Sequence, residues 1–155
     1  YLGFQSKLSD RDHDIVRRAL EETELWPLRQ EAVCDLSGGQ RQLAYFAMLL
    51  AQNTPNVLLD EPTSNLDAEY KQRVYTLLRR MRAQGRTVVL TLHALQDAVE
   101  LADNICVLEQ GRTCFFGSAQ EFVQSDIPLR IFALEPVCVN TPKTGPFTVF
   151  HLPMQ

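Results

Sequence analysis

Two adjacent carboxylates follow a short apolar run in the middle of the chain. Asp60 and Glu61 come directly after Val57-Leu58-Leu59, a run typical of a strand buried on both faces of a parallel sheet. Ligands of α/β sheets bind at the carboxyl ends of strands, and successive side chains there point in different directions. One acid can hold a magnesium ion through water while the other faces a nucleophile, a division that nucleotide hydrolysis requires. Two solvated acids at a strand end are the alternative interpretation.

A pair of glycines marks a second place where chemistry is possible. The segment reads Leu36-Ser37-Gly38-Gly39-Gln40 and opens a predicted helix. Glycines after a serine at a helix start expose backbone N–H groups and a hydroxyl to an incoming anion. A side chain at either glycine could block that approach. The alternative is an ordinary capped helix after a loop.

His93 is the third candidate, at the end of a β-branched run over residues 87–92. If this run and Val57-Leu58-Leu59 are neighbouring strands, His93 lies at the same sheet edge as Asp60 and Glu61. An imidazole there can contact a phosphate oxygen. A purely structural histidine is the alternative.

The elements that must position these residues follow from spacing and cap signals. Helices are predicted to start at Ser9, Ser37 and Asp67 and to end before Pro27, before Pro55 and at Gly85. Strands are predicted over residues 56–60 and 87–92, a helix over 95–102, and a hairpin from 105–108 and 114–116. Short helices at 119–124 and 127–133 and two strands within 136–153, joined at 142–145, complete the chain. Alternating strands and helices predict an α/β fold.

Composition excludes several classes of protein. The 155 residues carry a formal net charge of −4 and a pI near 5.3, so the basic footprint of a nucleic-acid-binding protein is absent. The four cysteines form no CxxC pair, which argues against a zinc ribbon and for reduced thiols. The chain starts with Tyr1, which suggests a piece of a longer protein.

Taken together, these motifs resemble the C-terminal portion of an ATP-binding cassette (ABC) transporter ATPase. Residues 36–40 resemble the signature sequence, residues 57–61 the Walker B strand, residues 64–67 the D-loop, and His93 the switch histidine. The resemblance implies a partial RecA-like P-loop NTPase core with a mostly parallel sheet. It also implies domains at 1–55 (part of the helical subdomain), 56–133 (the C-terminal half of the ATPase core) and 134–155 (a small β-hairpin extension).

The resemblance further implies a role for each matching residue. Glu61 would be the general base, His93 a γ-phosphate contact, and Asp60 a ligand of Mg²⁺, through water. The cofactor-binding residues would contact ATP held by the opposite subunit of a head-to-tail dimer or link the two sites; they are Leu36, Ser37, Gly38, Gly39, Gln40 and Asp67. ATP and Mg²⁺ are the implied cofactors.

One motif of that family has no match in the 155 residues. A Walker A loop needs a Gly-Lys step, and the three lysines follow Ser6, Tyr70 and Pro142. We therefore expect the missing segment to lie upstream. Without it, the 155 residues by themselves are not expected to bind ATP tightly or to hydrolyse it.

The C-terminal stretch resembles most the ATPases of ferric-siderophore, haem and vitamin B12 importers. This implies a homodimer beneath a transmembrane permease, an indirect link to a substrate-binding protein, no nucleic-acid partner, and a peripheral place at the cytoplasmic face of the inner membrane. Another cassette ATPase, of a metal or molybdate importer or of a soluble type, is one alternative. A truncated, non-catalytic interaction fragment is the other.

Overall fold

A computed structural model describes residues 9–141 and 145–153, which form two compact units that divide between Thr91 and Leu92. The predicted domain boundaries at 55/56 and 133/134 rest on the family resemblance and stay predictions. The α/β class is confirmed: one strand pair is parallel and two are antiparallel hairpins. The expected parallel pairing therefore belongs to the first unit.

The first unit places three helices around a parallel strand pair. Its elements are α1 (Asp10–Glu22), α2 (Gly38–Gln52), β1 (Asn56–Leu59), α3 (Ala68–Ala83) and β2 (Thr87–Leu90), with short 3₁₀ turns at Trp26–Leu28 and Val33–Asp35. All three predicted helix starts are confirmed, because the side chains of Ser9, Ser37 and Asp67 each accept a hydrogen bond from a backbone N–H of the first turn.

The core of the first unit forms where α2, α3 and one face of the strands meet. Its buried apolar side chains come at helical spacing from α2 and α3, and from β1: Leu43, Phe46, Ala47, Leu50, Val57, Val74, Tyr75, Leu77, Leu78 and Met81. A Cβ at Gly39 would lie 2.4 Å from Cγ of Tyr70. This close approach lets the start of α2 pass the start of α3.

One expectation for the strands is wrong. Val57 is 2% exposed, but Leu58 is 77% exposed and its register partner Val89 is 56% exposed. The run is therefore not buried on both faces in the described residues. Side chains alternate across a strand, so Val57 lies on the face that this unit buries and Leu58 lies on the opposite face.

The second unit joins two hairpins through short helices. Its elements are α4 (Leu95–Leu101), β3 (Asn104–Glu109), β4 (Arg112–Ser118), α5 (Ala119–Gln124), α6 (Ile127–Phe132), β5 (Glu135–Thr141) and β6 (Gly145–His151). Phe122 is fully buried, with ring centroids 5.6 Å from Phe115 and 6.4 Å from Phe150. The predicted turn at residues 142–145 lies mostly outside the described residues. Among the described helices, none has the length and apolar character needed to cross a bilayer.

Candidate functional site

The ends of β1 and β2 bring the two predicted acids together with a threonine. Because the strands are parallel and in register, their carboxyl ends meet at one edge. The Thr91 hydroxyl donates to Oδ1 of Asp60 at 2.6 Å, and the Glu61 N–H donates to Oγ1 of Thr91 at 2.9 Å. The Thr91 N–H also donates to the Leu59 carbonyl at 3.0 Å. The Thr91 side chain, directly after β2, thus bonds both to the Asp60 carboxylate and to the Glu61 backbone.

Glu61 begins a tight loop that turns its carboxylate toward Ser64. Its φ is 45°, in the left-handed region, which is uncommon for a residue with a Cβ. The Ser64 N–H donates to the Glu61 carbonyl at 3.1 Å, and the Ser64 hydroxyl donates to Oε2 of Glu61 at 2.7 Å. Asp60 and Glu61 therefore contact different side chains, so each carboxylate can do a separate task.

The predicted anion-binding segment is the capped start of α2. The Gln40 N–H donates to Oγ of Ser37 at 3.3 Å, and the Ser37 N–H donates to Oε1 of Gln40 at 2.9 Å. Ser37 and Gly38 are exposed, whereas Leu36 is 9% exposed. Leu36 therefore anchors the loop, and the exposed hydroxyl and first-turn N–H groups are the parts that an anion can reach.

The two glycines differ in what a side chain would meet. A Cβ at Gly38 would have nothing within 4 Å, whereas one at Gly39 would collide with the Tyr70 ring. Within this chain the need for glycine at position 39 thus comes from helix packing. The predicted need for open approach remains a prediction, and it concerns Gly38 most directly.

A side-chain contact that the sequence analysis missed links the two motifs. Nε2 of Gln42, on α2, donates to the carbonyl of Pro62 at 2.9 Å. Pro62 directly follows Glu61 and is buried. Helix α2, which begins at the predicted anion-binding segment, is therefore connected to the loop that carries Glu61, the predicted base. A polar residue on the same helix face as Gly38, one turn later, was the available signal.

Asp67 and His93 have separate settings. Oδ1 of Asp67 accepts from the Tyr70 N–H at 3.0 Å and caps α3, and its side chain is exposed. His93 is exposed and belongs to the second unit, between β2 and α4. Its predicted place beside Asp60 and Glu61 stays a prediction.

The donor set at Asp60 fits a magnesium ion bound through water. The Thr91 hydroxyl donates to Oδ1 of Asp60. Because Asp60 is exposed, its second oxygen, Oδ2, can accept from a water. Mg²⁺ keeps several waters and takes one or two carboxylates together with substrate phosphates, so a single carboxylate at this edge is a sufficient protein contribution.

A cavity of about 640 Å³ opens elsewhere in the first unit. It lies between α1, the end of α2 and the turn before β2, and Arg18, Glu22 and Arg86 are among the residues that line it. No predicted site residue lines this cavity, so it is separate from the edge that carries Asp60 and Glu61.

Comparisons with known proteins agree with the motifs. Residues 4–64 match the model of the ABC transporter family. The chain is 37% identical over 144 residues to the iron(3+)-hydroxamate import ATP-binding protein FhuC of Bacillus subtilis (strain 168), covering 92% of this chain and 53% of that protein. It is 36% identical over 135 residues to the ferric enterobactin transport ATP-binding protein FepC of Escherichia coli (strain K12), covering 86% and 50%.

A solved structure gives the same answer for the fold. A transporter described as of the metal-chelate type, in an inward-facing conformation, matches with a TM-score of 0.85 and 31% identity over 95% of this chain and 59% of that chain. The chain spans about half the length of the curated relatives it matches. The predicted similarity to siderophore importer ATPases is confirmed, and the chain belongs to the ABC transporter family of ATP-binding proteins.

Proposed function

We propose that the whole protein is the ATP-hydrolysing subunit of an ABC importer. In a head-to-tail dimer, it would couple ATP hydrolysis to uptake of an iron–siderophore complex, haem or cobalamin. The observation that carries the proposal is the Asp60–Glu61 pair at the end of β1, held by Thr91 and Ser64. Relatives named as hydroxamate, petrobactin and hemin import ATP-binding proteins support the importer class.

Glu61 is the residue proposed to activate water. A carboxylate offers about four acceptor positions on two oxygens, so Glu61 can accept from Ser64 and from a water at the same time. A base so placed polarises the water that attacks the γ-phosphate. The left-handed backbone at Glu61 and the hydrogen bond from Ser64 fix the position of the carboxylate before a water binds.

Asp60 is proposed to support Mg²⁺ through water. When bound, the ion would neutralise charge on the β- and γ-phosphates of ATP. Thr91 holds Asp60 with one oxygen engaged, which orients the other. His93 is proposed to contact the γ-phosphate and respond to its loss.

The start of α2 is proposed to act on the partner subunit's ATP. Its exposed Ser37 and Gly38, together with the N–H of Gly39, can meet the γ-phosphate across the dimer, since helix N-termini favour anions. Asp67, exposed at the start of α3, would link the two sites. The Gln42–Pro62 bond gives this segment a direct connection to the Glu61 loop.

The proposed partners follow from the importer class. They are a second copy of the same subunit, a transmembrane permease and, indirectly, a substrate-binding protein. Through the permease, the subunit would sit peripherally at the cytoplasmic face of the inner membrane.

Turnover of ATP by the whole protein tests the proposal. Glu61→Gln keeps the size but removes the basic oxygen, so Mg²⁺-dependent phosphate release should fall by about 10² to 10⁴. ATP binding should persist. Glu31→Gln, at an exposed position of a loop, is the control and should match the wild type. Wild-type turnover by Glu61→Gln would assign water activation to another group.

A further inference from the structure

We propose that Thr91 is a positioning residue of the hydrolysis site, whose hydroxyl holds Asp60 and Glu61 in their working geometry. The inference rests on the proposed function. Thr91 lies 31 residues from Asp60 and 30 from Glu61 in sequence, yet it bonds to both.

The direction of each hydrogen bond gives the hydroxyl a defined role. A threonine hydroxyl has one proton and two lone pairs. Because Oγ1 accepts from the Glu61 N–H, its proton is directed to Oδ1 of Asp60. A donor on one oxygen restrains the rotation of the carboxylate and leaves Oδ2 available to a water that a bound Mg²⁺ would hold.

The same hydroxyl supports an unfavourable backbone at Glu61. A left-handed φ for a residue with a Cβ persists only where the surroundings hold it. The 2.9 Å bond from the Glu61 N–H to Thr91 fixes one end of the residue, and Ser64 fixes the carbonyl and carboxylate. Loss of the Thr91 hydroxyl therefore releases the peptide that carries the proposed base.

Little of the fold depends on this hydroxyl. Thr91 is exposed, and its own N–H bonds to the Leu59 carbonyl whatever the side chain is. The strands are already paired in register from Asn56↔Thr87 to Leu59↔Leu90. A change at Oγ1 should therefore alter the rate of hydrolysis and leave the folded state intact.

The test uses the whole protein with Thr91→Val, Thr91→Ser and Thr87→Val. Thr91→Val keeps the shape and removes the hydroxyl, so kcat should fall by about 10- to 100-fold, as loss of a hydrogen bond to a charged group implies. KM for ATP should change by less than about threefold, and the Mg²⁺ concentration for half-maximal rate should rise. Thr91→Ser restores the hydroxyl and should recover most of kcat. Thr87→Val, at an exposed position of β2, the strand that Thr91 directly follows, should behave as wild type in all three readouts.

Thermal unfolding of each variant and the turnover of Glu61→Gln are measured in parallel. Together they distinguish a loss of the folded state, an incorrect role for Thr91 and an incorrect proposed function. The proposal is overturned if Thr91→Val turns over like the wild type, if Thr91→Ser is no better than Thr91→Val, or if kcat falls only together with the unfolding temperature. If Glu61→Gln abolishes turnover while Thr91→Val does not, the positioning role alone is wrong. If Glu61→Gln retains full turnover, the proposed function and this role fail together.

Discussion

Gln42 is a single residue that connects two motifs twenty positions apart in sequence. Its amide donates to the carbonyl of buried Pro62, and it sits half-buried on α2. Gln42→Leu replaces the side chain with an apolar one of similar size and removes the amide donor. The carbonyl of Pro62 then loses its hydrogen bond from Gln42. We expect the free energy of unfolding to fall by about 1 to 2 kcal/mol, measured by urea denaturation of the whole protein.

The matched control for Gln42 lies on the same helix. Gln52→Leu replaces an exposed glutamine at the last residue of α2 and should change stability by less than about 0.5 kcal/mol. Equal stability of Gln42→Leu and Gln52→Leu would mean that the Pro62 carbonyl finds another donor in solution.

At the scale of elements, the start of α2 passes α3 at a distance that only glycine permits. A Cβ at Gly39 would lie 2.4 to 2.7 Å from three atoms of the Tyr70 ring. Gly39→Ala should cost about 1 to 3 kcal/mol, since Tyr70 must leave its position. Gly38→Ala is the matched control: nothing lies within 4 Å of its Cβ, so stability should be unchanged or slightly higher.

A double variant identifies the cause of the Gly39 effect. Tyr70→Ala removes the ring, so the cost of Gly39→Ala should largely disappear in that background, as expected for residues in direct contact. A cost that persists without the ring would place the strain in the backbone of α2, and the packing explanation would be wrong.

Local sequence signals were sufficient for the caps and insufficient for the contacts between elements. Ser9, Ser37 and Asp67 were predictable because an N-cap side chain bonds to a backbone group within three residues. Thr91 and Gln42 were not, since their partners lie 20 or more residues away and depend on which strands and helices become neighbours. The apolar pattern of β1 likewise did not predict that one face would be exposed.

A capping box in the second unit gives α5 a pH-dependent start. Oε2 of Glu121 accepts from the Ser118 N–H at 2.7 Å and from its hydroxyl at 2.8 Å. These two hydrogen bonds hold the pKa of Glu121 below its ordinary value, and the bond from the Ser118 N–H has the larger effect. A lowered pKa in the folded state means that the carboxylate contributes stability above the unfolded-state pKa. That contribution is lost as the pH falls through the folded-state pKa.

Glu121→Gln removes this pH dependence. Its unfolding midpoint should lie below that of the wild type near pH 7, and the difference should shrink as the pH falls from about 5 to about 3. Glu109→Gln, at an exposed position of β3, is the control and should show no such convergence. A difference between Glu121→Gln and the wild type that is constant over this range would mean that the charge of Glu121 plays no part in capping α5.

At the scale of the whole molecule, the proposed site is divided between two copies. Glu61 and Asp60 would act on the ATP of their own subunit, and the start of α2 would act on the partner's. Binding of ATP to one subunit and closure of the dimer by the start of α2 are therefore separate steps, and a substitution can affect one without the other. This follows from the proposed head-to-tail dimer, and it predicts opposite effects for substitutions only 24 residues apart, at Ser37 and Glu61.

Glu61→Gln should trap a closed, ATP-bound dimer of the whole protein, because in the proposed cycle hydrolysis would reopen that dimer. Adding Ser37→Arg places bulk and a flexible cation where the partner's γ-phosphate must approach, so the double variant should bind ATP yet elute as a monomer in size-exclusion chromatography.

Arginine also removes the cap of α2. Ser37→Asp retains a capping side chain and sets a negative charge against the phosphate, so it should block closure with the helix start intact. Gln52→Arg, at the other end of α2, should leave the trapped dimer unchanged. If both Ser37 variants still form that dimer, the segment from Leu36 to Gln40 is a capped helix start without a role in closure.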